Sequence, residues 1–106
     1  MNGLNNTGHF YLGGLYSAYV RGEALLAARR YPEAVAEFQK ILDHRGIVGA
    51  DPIGALAHLQ LGRTFARSGD MAKAKLAYGE FFTLWKDADP DVPILVQAKT
   101  EYARLQ

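Results

Sequence analysis

Apolar residues return every three or four positions along most of this chain, and that period, punctuated by Gly, Pro and Asp, predicts helices throughout. From Leu15 to Arg29 the good helix formers place Leu15, Tyr19, Gly22, Leu25 and Leu26 on one face. Tyr31-Pro32-Glu33 marks a break and a restart, because Pro suits the first helical position, where its missing N–H costs nothing. The second helix carries Ala34, Val35, Phe38, Ile41 and Leu42 inward and Glu37, Gln39, Lys40 and Asp43 outward. It ends where His44 and Arg45 complement the carbonyl end before Gly46.

After the loop from Gly46 to Gly54, Asp51-Pro52 signals a third helix with Ile53, Leu56, Ala57, Leu61 and Phe65 on its apolar side, stopped by Gly69. Asp70 is placed to cap a fourth, whose stripe is Met71, Ala74, Tyr78, Phe81, Phe82 and Trp85. A linker from Asp87 to Pro93 leads to a fifth, with Ile94, Leu95, Ala98, Tyr102 and Leu105 on one side and Gln97, Lys99, Glu101 and Arg104 polar. No segment reads as a strand, so the expected class is all-α. Residues 1–14, rich in Gly and Asn, read as a flexible lead-in or linker, and flexibility is the expected role of Gly13-Gly14.

Sliding the chain forty residues against itself pairs Gly22 with Gly62, Ala34 with Ala74, Leu25 with Phe65, Phe38 with Tyr78, and Ile41-Leu42 with Phe81-Phe82. What repeats is a steric recipe: small residues on both helices of a hairpin let the axes approach toward the lower end of the roughly 8–10 Å packing range. A helical Gly costs about 1 kcal/mol relative to Ala, and its recurrence at equivalent places implies that the close crossing is required.

At these residues the chain resembles the tetratricopeptide repeat family, whose signature runs W-x2-L-G-x2-Y, then A-x3-F, then P. The second copy supplies Leu61-Gly62-x2-Phe65, Gly69-Asp70 at the turn and Ala74-x3-Tyr78. The first keeps Gly22, Leu25 and Ala34-x3-Phe38, but has Arg21 where Leu is usual and Arg29-Arg30 in place of Gly-Asp; Ala18 and His58 fill the tryptophan position. The family spacing is about 34 residues, so about six extra residues fall between His44 and Ile53.

The resemblance implies a short α-α superhelix: a hairpin over about residues 15–45, another over 53–86 and a capping helix over 93–105. More loosely, Ala18 to Ala24 and Phe38 to Val48 look like the C-terminal repeat segments of bacterial signalling proteins that carry a serine/threonine kinase or a winged-helix domain. That likeness implies a sensing or docking end, or the regulatory tail of such a kinase.

Charge narrows the partners. With 12 Lys plus Arg against 11 Asp plus Glu, no general field steers the chain toward phosphate backbones or anionic lipid, so neither nucleic acid nor membrane is expected. At 49% hydrophobic and 22% charged residues, composition fits a folding soluble domain, and no stretch reaches the roughly 18 apolar residues of a membrane span. The absence of cysteine removes disulfide, thiolate and zinc-thiolate chemistry but leaves the compartment open.

Candidate catalytic chemistry is thin. His9, His44 and His58 have no second ligand at a convincing spacing, so no metal or cofactor is expected; His44 reads as a helix-end residue and His58 as a filler. Asp43-His44-Arg45 lacks the Asp of a kinase catalytic loop, and Gly13-Gly14 lacks the strand and lysine of a phosphate loop. No enzyme activity is expected of these residues.

Partner binding is what the resemblance implies, on a concave face lined by the first helix of each hairpin. Carried over by position, that gives Tyr16, Tyr19, Glu23, Leu26 and Ala27 in the first copy, and Leu56, Leu59, Arg63, Ala66 and Arg67 in the second. The lysine and asparagine clamp by which some members hold a C-terminal carboxylate is absent, since Tyr19, Glu23, Leu59 and Arg63 occupy its places. Two repeats are fewer than such stacks usually need, so self-association through the apolar N-terminal end, near Phe10, Tyr11, Leu12 and Tyr16, is the alternative.

Overall fold

A computed structural model describes residues 10–44, 53–85 and 92–105. Its helices are α1 (Phe10–Ala27), α2 (Tyr31–Leu42), α3 (Ile53–Ser68), α4 (Met71–Leu84) and α5 (Pro93–Ala103), and no strand occurs among the described residues. The all-α class expected from the period is therefore what forms. The six-residue excess placed between His44 and Ile53 falls almost wholly outside the described residues.

Helix α1 begins at Phe10, so residues 10–14 are helical rather than part of a lead-in, Gly13 and Gly14 included. The cause is local. Leu15 and Ala18, each 2% exposed, fix the adjoining turn in the core, and each further helical residue then adds a hydrogen bond without a new nucleation cost.

Each hairpin turns in the same way. Arg29 (φ 64°) and Gly69 (φ 95°), forty positions apart, both adopt the left-handed conformation that ends a helix. The next N–H reaches back five residues in both, Arg30 to the Leu25 carbonyl and Asp70 to that of Phe65, each at 2.9 Å. This is the Schellman arrangement, which satisfies carbonyls that the helix end leaves free. Glycine takes the conformation without strain, whereas an L residue such as Arg29 carries roughly 1–2 kcal/mol of steric cost. Helix starts differ as well: the Asp70 side chain accepts from the Lys73 N–H at 3.2 Å, while Arg30 makes no cap and instead grips Glu33 at 2.6 and 2.8 Å.

The glycines sit where the helices of each antiparallel hairpin cross. A Cβ on Gly22 would stand 2.6–2.9 Å from three atoms of the Phe38 ring, and one on Gly62 2.7–3.2 Å from three of Tyr78. Ala34 and Ala74 are fully buried beside them. The close crossing inferred from the recurring glycines is thus present twice, built from the same pair of positions.

Two apolar clusters form the interior, one of Leu15, Ala18, Leu26, Phe38, Ile41, Ile53 and Leu61 with their neighbours, the other of Ala55, Leu59, Tyr78, Phe81, Leu95 and Ala98. Helix α3 contributes to both. A single apolar stripe was the expectation there, but Ala55, His58, Leu59, Gln60, Gly62 and Thr64 are buried as well, because α3 lies between the first hairpin and α4 with α5. In α4 the expected Met71 is instead 44% exposed, since it begins the helix at the hairpin-turn edge, while Ala77 is buried.

Helix α5 continues the register. Leu15, Ala55 and Leu95 are all buried, and so are Ala18, His58 and Ala98, at successive steps of forty. Its buried positions thus repeat those of α1 and α3. At the third glycine position stands Tyr102, whose ring packs on Tyr78 and Phe82 at centroid distances of 6.0 and 5.6 Å.

Candidate functional site

Side chains of α3 reach both α1 and α5, Gln60 to Tyr19 and Glu23 on one side and Arg63 to Glu101 on the other. Gln60, 6% exposed, donates its amide N–H groups to the Tyr19 hydroxyl at 3.0 Å and to Glu23 Oε2 at 3.1 Å. Burial raises the Tyr19 phenol above its ordinary pKa; the Gln60 hydrogen bond opposes this and Glu23 adds to it.

One turn further along α3, Arg63 meets Glu101 of α5 through two parallel bonds, Nε to Oε1 at 2.8 Å and Nη2 to Oε2 at 3.0 Å. Paired geometry of this kind gives directional, charge-assisted bonds, here in side chains only 17% and 30% exposed. Tyr78 of α4 donates to the same Oε1 at 2.7 Å. Burial pushes the Glu101 carboxyl up, yet the bonds from Arg63 and Tyr78 and the charges of Arg63 and Arg67 bring it below the usual range. Burial and the carboxylate both push the Tyr78 phenol upward.

The two hairpins differ here in a linked way. Phe38 of α2 and Leu61 of α3 correspond at forty residues to Tyr78 of α4 and Glu101 of α5, so a hydroxyl and the acid that accepts it appear together.

Six of the eight expected partner residues lie on or beside this face. Tyr16 is 47% exposed, Tyr19, Leu56 and Arg63 are half-buried, and Glu23 and Arg67 are exposed. Leu26 and Leu59 are not available: at 5% and 0% exposure they belong to the first and second clusters, Leu26 with Phe38 and Ile41 of α2 and Leu59 with Tyr78 and Phe81 of α4. Arg63 is engaged by Glu101, whereas Arg67, one turn on, makes no ion pair among the described residues yet lies close enough to act on that carboxylate. Sequence reasoning missed Gln60 and Glu101; the only signal for Glu101 was that Leu61 stands at its place in the preceding copy.

Two smaller features lie elsewhere. His44 Nδ1 sits 2.8 Å from the Lys40 carbonyl at the end of α2, and His58 is 9% exposed, matching the helix-end and filler roles expected of them. An open apolar cleft of about 560 Å³ lies at the hairpin-turn edge between Tyr31, Pro32, Val35 and Phe65, with the Lys73 ammonium 5.6 Å above the Phe65 ring. Among the described residues no group of three or more His, Asp or Glu could hold a metal, and no helix is long and apolar enough to cross a membrane.

No family model matches the chain, and neither the curated proteins nor the solved structures contain a match.

Proposed function

We propose that this chain is a tetratricopeptide-like docking module that takes a peptide or protein segment on the face formed by α1, α3 and α5. The repeated glycine-aromatic crossings, the repeated turn and the forty-residue burial register support an array of this kind. One observation carries the reading: on this face Arg63 already holds a helix-borne carboxylate in two parallel bonds, and Arg67 stands one turn away, exposed and without an ion pair among the described residues. A partner's acidic side chain meets Arg67, while Tyr16 and Leu56 offer apolar surface in the same row.

The test is a selection of peptides from a display library against the wild-type domain, counter-selected on Arg67→Glu. Enriched sequences should carry Asp or Glu and bind the variant roughly ten- to a hundred-fold more weakly, as loss of a hydrogen bond to a charged group requires. Peptides that bind both proteins equally, or no enrichment, would remove the reading.

A further inference from the structure

Where α1 meets α3, hydrogen-bond donors and acceptors do not balance. Gln60 is 6% exposed, and both of its amide N–H groups are engaged, one by the Tyr19 hydroxyl and one by Glu23 Oε2. Its carbonyl oxygen receives no hydrogen bond among the described residues, and neither does Glu23 Oε1. Exchanging the amide oxygen and nitrogen would not restore the balance, since it would set a carbonyl oxygen against the carboxylate. The junction is left with acceptors, one of them on a buried side chain, where an unmet polar atom is costly.

Charge is unbalanced at the same place. Glu23 is exposed and makes no ion pair among the described residues. Forty residues on, its equivalent Arg63 is neutralised by Glu101, but the residue equivalent to Glu101 is Leu61, 4% exposed, so the first copy lacks the counter-charge that the second has. Arg63 does act on the Tyr19 phenol, opposing the rise in pKa that burial chiefly and Glu23 in part produce, but its Nε and Nη2 donate to Glu101.

We infer that the Tyr19–Gln60–Glu23 junction is a subsite for a primary ammonium group, supplied by a lysine side chain of the docked segment. An ammonium brings three N–H donors, one positive charge and no acceptor, the complement of what the junction holds in excess. A carboxylate or phosphate would meet the Glu23 charge, and a neutral amide would bring donors without the charge that makes such bonds roughly twice as strong. The half-buried Tyr19 ring is held edge-on against Phe38 at a centroid distance of 5.9 Å, which fixes its hydroxyl beside Gln60. The inference rests on the docking reading for the source of the lysine and adds to it: with Arg67 meeting an acidic side chain, the segment carries a basic residue as well as an acidic one.

The test uses the full chain and n-butylammonium as the probe, with butyramide as its uncharged counterpart, both at one ionic strength and followed by NMR at the Gln60 side-chain amide and the Tyr19 ring. Butylammonium should give saturable shifts at both groups, and butyramide should bind about ten-fold more weakly or worse. Glu23→Gln, at an exposed position, should weaken butylammonium by a similar factor. An equal response to the two probes, shifts that do not saturate, or butylammonium binding that survives Glu23→Gln overturns the inference. The two readings fail separately. Peptides that are lost on Arg67→Glu, with no butylammonium response, uphold docking and overturn the subsite, whereas a butylammonium response without enriched peptides upholds the subsite and sinks docking.

Discussion

Replacing Gly22 by Ala sets two effects of opposite sign against each other. In an open helix the change should stabilise by about 1 kcal/mol through helix propensity. Here the added Cβ would lie 2.6, 2.7 and 2.9 Å from Phe38 Cε1, Cζ and Cδ1, about 1 Å inside ordinary carbon contact. The ring cannot swing aside, since Phe38 is 0% exposed and is held edge-on by Tyr19 at a centroid distance of 5.9 Å. Overpacking of this kind costs typically about 1–3 kcal/mol and is set against the propensity gain, so the measured loss should be about 0–2 kcal/mol. Urea unfolding followed at the helix band gives the value.

The decisive measurement is a double-mutant cycle with Phe38→Leu, which by itself costs about 1–2 kcal/mol through a cavity but makes room for the new methyl. The double variant should therefore be more stable than the sum of the singles by about 1 kcal/mol. Gly62→Ala with Tyr78→Leu should repeat the pattern forty residues on, with less recovery, because Tyr78→Leu also removes the hydroxyl bond to Glu101. A Gly22→Ala variant more stable than wild type, with additive effects, would show that the crossing has slack and that the glycines answer to something else.

Arg29→Gly should stabilise by about 0.5–1 kcal/mol, because glycine takes the φ of 64° without strain; a thermal scan showing a loss would refute that. Tyr78→Phe should cost about 0.5–1.5 kcal/mol in urea titration, whereas Phe38→Tyr should cost about 1–3 kcal/mol, since Leu61 stands where the second copy has its acid. Equal costs would mean that the Glu101 contact is immaterial. The Glu101 and Glu37 carboxyls titrate below their ordinary 4.5 in the folded chain, so their stabilisation is complete above about that pH and is lost as pH falls through the lower folded values. The urea midpoint should decline below pH 4.5 and decline less in Glu101→Gln, and a midpoint that holds or rises there would contradict the sign.

The period of apolar residues by itself determined the five helices, because each helix must bury one stripe and the chain has no competing two-residue alternation. Their starts and stops were legible wherever a backbone rule acts locally, as at Pro32, Gly69 and Asp70. Self-comparison at forty residues locates both glycine crossings from residue type alone, since a position that must lack a Cβ is held by glycine.

Two things were decided only by the tertiary structure. Burial of α3 on both sides could not be read from one helix, because whether Leu59 faces a partner or Tyr78 and Phe81 depends on what packs across from it. The same is true of Glu101, an ordinary outward acid by sequence, which becomes the hinge of the Arg63 and Tyr78 contacts once α5 is laid beside α3. Local propensity acts through neighbours in the chain, and these contacts join residues 23 and 38 positions apart, where only packing chooses the pairing.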